Sequence, residues 1–599
     1  MDQSLTPEGS KPVYGIVKEL DQSVPMRDGV KIACDIFRPD GEGQFPALLA
    51  MAPYGKEGQS AKIPPRFFTA DYAHLEAGDT EYFVSRGYVH VIADVRGCGH
   101  SEGKYDICSQ EEQQDGYDLV EWIAQQPWCN GNVGMVGVSY YAVIQYLVAA
   151  QQPPHLKAIF PHDGWTDMYR DVSHHGGILM HGWLRIWVQG GNILAWDARP
   201  ASERLLTPEE LGQRVQELLA DEVIQKCPTL YNTLIFPRDK PTLFDWLVQD
   251  LDGPYYWERS SYNKLDKIKI PVFLGSEMHQ YPVVMHLPGA FSGWAGINAP
   301  KKLVIRPAVP ERPFHEFHDE IVRWYDHWLK GVENGVLDGP AIQIWVNNAN
   351  KWRYGDEWPL PETDWTEYYL TAGALQEGRP PAGQEAPDSF NHKPVTPLIM
   401  NPFPTDPPPE FLSYSTGPLE KDLEVVGPIV LHLHAAITGP DADFIVKLSD
   451  VAPDGASTVL SRGWLKASHR ELDPERSRPW QPFHPHTRAV PVVPNEVNEY
   501  AIELRPIANV FEKGHAIVLE VRSCDYPAEP LDFTLLWPMW SHLSYSKEVS
   551  YQVHHSSAYP SRLVLPVIPQ AESEQLSHID SEPTSYPKGR SERRGNGEW

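Results

Sequence analysis

Apolar positions in the first 160 residues follow two alternating rhythms. Near-continuous apolar runs (K-I-A-C-D-I-F, F-P-A-L-L-A-M-A, V-H-V-I-A-D-V and V-G-M-V-G-V) predict strands covered on both faces, as in a parallel sheet. Between the last two lies Q-D-G-Y-D-L-V-E-W-I-A-Q-Q, whose Tyr117, Val120 and Ile123 recur at helical spacing. Strand, helix, strand, serine, helix is the grammar of an open α/β sheet. Text from about 165 to 260 is rich in Trp, Leu, Gln and Glu, with Trp183, Trp187 and Trp196 in helix-like stretches. It predicts a helical insertion over the carboxyl edge of the sheet, where ligands bind in such folds. The sheet rhythm returns at I-K-I-P-V-F-L-G and K-K-L-V-I-R-P, followed by the amphipathic H-D-E-I-V-R-W-Y-D-H-W-L-K-G, with Gly331 as helix stop.

After Pro359 the texture becomes short alternating runs between Gly, Pro and Asp turns, such as I-V-L-H-L-H-A-A-I, D-F-I-V-K-L-S-D-V, E-Y-A-I-E-L and A-I-V-L-E-V-R. That pattern predicts an all-β sandwich. The Pro-rich stretch from Pro394 to Pro409 reads as a surface connection, and the polar tail after Pro569 as disordered. The expected division is an α/β core at 15–164 and 261–350, a helical insertion at 165–260, a β-sandwich at 360–567 and a tail at 570–599. No internal repeat is present.

Composition narrows the partners. The chain has 599 residues, of which 41% are hydrophobic and 22% charged, enough to bury large cores. Its net charge of −29 argues against nucleic acid or an anionic membrane surface, both of which need basic patches. A small neutral or cationic molecule fits better. A homo-oligomer is compatible with this reading but not required by it. Six scattered cysteines without C-x-x-C or zinc spacing suggest reduced, buried thiols, and the N-terminus lacks a secretory pattern. No window approaches a membrane span, so a cytoplasmic protein is expected.

The stretch G-M-V-G-V-S-Y-Y-A places Ser139 between an apolar run and a helix. Ser139 is either a nucleophile presented on a tight strand-to-helix elbow or a simple helix cap. Upstream, V-I-A-D-V-R-G-C-G-H-S-E-G runs into a Gly-held turn, and A-L-L-A-M-A-P-Y-G-K brings Tyr54 to the end of a buried strand. Acyl transfer needs donors aimed at the developing oxyanion. The Tyr140 N–H, just after Ser139, is one natural donor, and the Tyr54 hydroxyl is a reasonable second.

Taken in order, A-P-Y-G-K, D-V-R-G-C-G-H-S-E-G, G-V-S-Y-Y, R-W-Y-D-H-W-L-K-G and G-W-L-K-A-S-H-R resemble the cocaine-esterase-like, X-Pro dipeptidyl-peptidase-like family of serine hydrolases. The resemblance covers roughly residues 15 to 565. It implies an α/β-hydrolase core, a helical cap and a C-terminal jelly-roll. It also implies Ser139 as nucleophile, with Tyr54 and the Tyr140 amide as oxyanion hole. Two departures stand out. Where the family carries G-W-x-D, this chain has Gln280 near the expected Asp. Where the family ends a strand in G-P-W-x-H, it has Pro310.

A serine without a base is a weak nucleophile. Substitute histidines are His315 and His318 in R-P-F-H-E-F-H, and His279 and His286 in the loop before them. His315, five residues past the lost position, is the first choice as general base, with Glu277 as a candidate orienting acid. His162, Asp163 and His174 are candidates to line the pocket. The H-L-H of His432 and His434 and the H-P-H of His484 and His486 show no third ligand, so neither metal nor cofactor is expected. The expected activity is hydrolysis of an ester or amide of a small hydrophobic molecule through an acyl-Ser139 intermediate. The rival readings are a non-hydrolytic reaction (cyclisation, elimination or acyl transfer) and a binding protein.

Overall fold

The computed structural model describes residues 10–59, 76–182, 198–278, 285–307, 318–379, 386–395, 408–525 and 542–569. Its first sheet is built from ten of twelve strands: β1 Ile16–Pro25, β2 Lys31–Pro39, β3 Phe45–Ala52, β4 Val89–Asp94, β5 Cys129–Met135, β6 Leu156–Ile159, β9 Val272–Met278, β10 Lys301–Pro307, β11 Ile342–Val346 and β12 Lys351–Gly355. Strands β7 His174–His175 and β8 Ile178–Leu179 form a separate short hairpin. The order is β1-β2-β4-β3-β5-β6-β9-β10-β11-β12. The run from β4 to β11 is parallel. Its central strands β3 and β4 are buried along almost their whole length because helices cover both faces.

One strand departs from the parallel expectation. The K-I-A-C-D-I-F run, β2, pairs antiparallel with both β1 and β4. The turn from Met26 to Val30, closed by the Met26 N–H donating to the Val30 carbonyl at 2.8 Å, makes β1 and β2 a hairpin. So short a connection permits only antiparallel pairing.

Helices α1 Thr80–Ser85, α2 Gln110–Ala124, α3 Tyr140–Ala149, α4 Leu287–Gly296 and α5 His318–Lys330 connect these strands. Gly331, with φ +70°, follows α5 as the expected stop. Among its described residues the insertion opens with a single π-helical turn, Met168–Ser173, and the β7–β8 hairpin, and α-helices occupy much of the stretch from Ser202 to Arg259. The Asp167 side chain accepts the N–H groups of Tyr169 and Arg170 and so fixes the turn. Helices Pro208–Leu219, Pro228–Ile235, Pro241–Val248 and Pro254–Arg259 each begin on a proline, where a missing N–H costs nothing. Trp183, Trp187 and Trp196 lie outside the described residues.

The C-terminal part is β-rich and barrel-like rather than two separate sheets. Its eleven strands form one hydrogen-bonded sheet, and an extra pairing of Arg562–Val567 with Leu423–Ile437 closes it on itself. The barrel has its own apolar core, separate from that of the first sheet. The β7–β8 hairpin joins the two: the Lys466 N–H donates to the Gly176 carbonyl, and the Leu543 N–H to the Leu179 carbonyl, both at 2.8 Å. All six cysteines are buried and none is in a disulfide. Among the described residues, no helix is long and apolar enough to cross a membrane.

Candidate active site

The chain from β5 into α3 makes a sharp reversal at Ser139. Gly137 has φ +128°, and a Cβ there would lie 2.3 Å from the Tyr141 Cβ, so only glycine fits. Ser139 itself sits at φ +62°, ψ −118°, a conformation L-residues rarely hold without cause. The fold fixes it from both sides. The Val138 N–H donates to the Glu76 carbonyl at 2.9 Å, and the Ser139 N–H to the His162 carbonyl at 3.1 Å. The Ser139 side chain makes no cap hydrogen bond to α3, which removes the helix-cap reading. Its Oγ instead lies 3.3 Å from His286 Nε2. Ser139 and His286 are 6% and 1% exposed, so this contact is shielded from water.

His286 immediately precedes α4, and close packing sets its position. A Cβ on Gly289 would stand 1.9 Å from the Gly164 carbonyl oxygen, so α4 starts against the 164–165 backbone. The His286 ring lies parallel to the Trp165 indole, at 4° and 6.2 Å between centroids. Trp165 in turn meets the Tyr140 ring edge-on at 6.4 Å. Tyr54 completes an aromatic wall, 6.0 Å from Tyr140 and 6.2 Å from Tyr141.

Two buried titratable groups hold the flanks. The Tyr140 hydroxyl donates to the Glu112 carboxyl at 2.9 Å, and the Cys108 N–H donates to Glu112 Oε2 at 3.0 Å. Burial pushes the Glu112 carboxyl up to about 8 in spite of these donors. Beyond Tyr54, the Lys56 ammonium bonds Asp21 at 2.7 Å and Glu57 at 2.6 Å, and lies 3.2 Å from Asp35. Burial works against its charge, but the three carboxylates outweigh it and raise its pKa. Among the described residues one trio, Asp21, Glu57 and His100, has the spacing of a metal site. Lys56 already places a cation between two of its members.

The predicted residues fall into three sets. Ser139, Tyr54, Tyr140 and His286 come together. His315, the first-choice base, and His279 and Gln280 lie outside the described residues. His318 is placed elsewhere: its Nε2 accepts the Asp79 N–H at 3.1 Å, and its ring stacks on Tyr82 at 5.0 Å. His162 supplies the carbonyl behind Ser139, and Asp163 accepts the Ser276 hydroxyl at 2.8 Å. Glu277 is buried at the end of β9. His174 is remote from the elbow, stacked on Tyr169 at 4.8 Å in the joint with the barrel. His484 lies in the same joint, and His432 pairs with Glu499 at 2.9 Å. Sequence reading named His286 without ranking it first. Its signal was weak because it follows the wrong strand for this fold.

Two family models match the chain. Residues 28–309 match the X-Pro dipeptidyl-peptidase (S15 family) model, and residues 334–532 match the X-Pro dipeptidyl-peptidase C-terminal non-catalytic domain. The chain belongs to this family. It is 28% identical to the cocaine esterase of Rhodococcus sp. (strain MB1 Bresler), over 91% of this chain and 97% of that one. A CocE/NonD family hydrolase from Staphylococcus aureus has the same fold, with a TM-score of 0.73 at 24% identity, covering 92% of this chain and 94% of that one. An alpha-amino acid ester hydrolase superposes with a TM-score of 0.69 at 20% identity, covering 95% and 99%. This chain thus shares its overall fold, an α/β core followed by a β-rich C-terminal domain, with both of these solved structures.

Proposed function

We propose that this serine hydrolase cleaves an ester or amide of a small hydrophobic molecule through an acyl-Ser139 intermediate, with His286 as general base. The observation that carries the proposal is the 3.3 Å approach of His286 Nε2 to the oxygen of a serine held at φ +62° above the sheet. The choice of base moves from His315 to His286 on that distance. A length of 3.3 Å is ordinary for a catalytic pair without substrate, where such bonds are long until the substrate arrives.

In this reading His286 holds its proton on Nδ1 and accepts the Ser139 proton at Nε2 as Oγ attacks the carbonyl carbon. The Tyr140 N–H, at the first helical position where no intrahelical acceptor exists, and the Tyr54 hydroxyl receive the oxyanion. His286 then gives its proton to the leaving oxygen or nitrogen. A water molecule enters and attacks the acyl carbon as it loses a proton to His286; the bond to Ser139 Oγ then breaks, Oγ takes that proton back, and the acid departs. Base and oxyanion donors contribute roughly 10² to 10⁴-fold and 10² to 10³-fold respectively. The helices from Ser202 to Arg259 serve as the cap of the site, and the closed C-terminal sheet as a jelly-roll variant. The aromatic wall of Tyr54, Tyr140, Tyr141 and Trp165 favours an apolar substrate over a charged peptide terminus. Membership of a hydrolase family favours hydrolysis over a non-hydrolytic reaction on the same scaffold.

A fluorophosphonate probe tests the proposal. Wild-type enzyme should be labelled on Ser139 and His286→Gln should not. Equal labelling of both would remove His286 as base, and labelling elsewhere would remove Ser139.

A further inference from the structure

Trp165 is 2% exposed, yet its indole Nε1 has no hydrogen-bond partner among the described residues. A buried N–H without an acceptor is costly, so such a group calls for an explanation. Its place supplies one. The ring is parallel to His286, the residue 3.3 Å from Ser139 Oγ, and edge-on to Tyr140, the residue after Ser139. The donor therefore belongs to the wall of the site itself. Among the described residues the Trp324 and Trp328 indoles also lack an acceptor, but they pack against each other on α5 and not against the elbow.

We infer that the Trp165 indole N–H is a substrate-recognition donor, and that the substrate carries an uncharged acceptor oxygen on its leaving-group side. This rests on the acyl-Ser139 reading above and adds a polar requirement to an otherwise apolar pocket. The side follows from the stack. His286 must protonate the leaving atom, so the leaving group lies beside the imidazole, and Trp165 is the ring parallel to that imidazole. An ether, carbonyl or hydroxyl oxygen there would satisfy the indole when substrate binds. A purely hydrocarbon leaving group would leave it unpaired. A donor that goes unmet rejects the wrong substrate, which is how an apolar pocket gains selectivity it cannot get from shape.

The test uses isosteric ester pairs that exchange one CH₂ for one oxygen: 2-methoxyethyl against n-butyl benzoate on the leaving side, and phenyl methoxyacetate against phenyl butyrate on the acyl side. Trp165→Phe keeps an aromatic ring against His286 but removes the N–H together with part of the indole, a packing loss that both members of each pair share. Its kcat/KM for 2-methoxyethyl benzoate should fall roughly tenfold further than for n-butyl benzoate, the scale of one hydrogen bond. The acyl-side pair should lose equally. An equal loss on the leaving-side pair, or a selective loss on the acyl-side pair, overturns the inference. Should the variant not fold, the wild type decides. Its preference for the methoxyethyl ester must exceed the ratio of the two hydroxide-catalysed rates, and a ratio at or below that value overturns the inference. Ser139→Ala keeps the two readings apart. Full turnover in that variant would defeat the acyl-serine mechanism, whereas an inactive Ser139→Ala with an unselective Trp165→Phe would defeat this inference alone.

Discussion

His286 and the histidines of the joint between the hydrolase core and the barrel are equally shut off from water but differently partnered. In the joint, His175 Nδ1 lies 2.9 Å from His542 Nε2, and His542 Nδ1 lies 2.8 Å from Asp525. His469 and His486 share a 2.9 Å bond between their Nδ1 atoms, and both nitrogens of His484 meet carbonyls, of Glu471 and Ala501. His175 also faces the Asp171 carbonyl, Trp464 and Arg505. His174 faces Tyr169, Tyr256, Arg214 and Lys466, and His486 faces Arg170. At the elbow, by contrast, the nitrogen of His286 meets a hydroxyl that can surrender its proton. Burial makes an imidazole structural when its partners are fixed acceptors and other imidazoles. It makes an imidazole chemical when the partner is a nucleophile.

The sharpest way to break this contrast is at the elbow. Ser139→Ala and His286→Gln should each lower kcat by roughly 10⁴-fold or more, and the double variant should be no worse, because the two act as one unit. Stopped-flow detection of an acyl-enzyme burst checks this, and an additive double variant would separate the pair. A fall in rate at low pH, as the base takes up a proton, should lose its imidazole limb in His286→Gln. Next in size are two changes of roughly 10²-fold. Tyr54→Phe should lower kcat with little change in KM, as expected for an oxyanion donor. Gly289→Ala should do the same by pushing α4 off the Gly164 carbonyl, since misplacing a catalytic group by about 1 Å costs that much. Full activity in the alanine variant would mean that close packing does not set His286.

The joint should respond in stability and not in chemistry. His542→Gln should cost about 1 to 3 kcal/mol in denaturant unfolding while leaving kcat and KM near wild type, because it leaves His175 and Asp525 unmatched. A changed kcat would carry the joint into the mechanism. The pH dependence has a definite sign. Burial holds His174, His175 and His486 well below an ordinary imidazole and depresses His469 from 6.5 to about 4. Below 6.5 the unfolded chain takes protons the folded joint refuses. The joint's contribution is thus complete above pH 6.5 and lost as pH falls from there towards about 4, which unfolding curves against pH would register. The smallest effect is expected at Glu112→Gln, beneath Tyr140. With its carboxyl pushed up to about 8, Glu112 is protonated at neutral pH, so the amide should keep stability and rate nearly unchanged. A large loss would mean that the carboxylate is needed.

What the sequence by itself determined is what local chemistry dictates. Continuous apolar runs marked β3, β4 and β9, a helical period marked α2 and α5, and G-x-S before a helix marked the elbow. Each is a matter of a few neighbouring residues and the periods of strand and helix. The departure from the family pattern was equally legible, since Pro310 stands where the family's G-P-W-x-H text has its histidine. Tertiary structure alone decided the rest. His286 is 147 residues from Ser139, and only the close approach of α4 to Gly164 brings it there in preference to His318, which α1 captures. Barrel closure joins Arg562–Val567 to Leu423–Ile437, and alternation along either strand says which face is buried, not which partner lies at the edge. The pairing of β2 with β4 and the histidine joint likewise depend on contacts between distant segments. A hydrogen bond needs its two atoms within about 3 Å, and sequence order carries no such distance once the chain has turned back on itself.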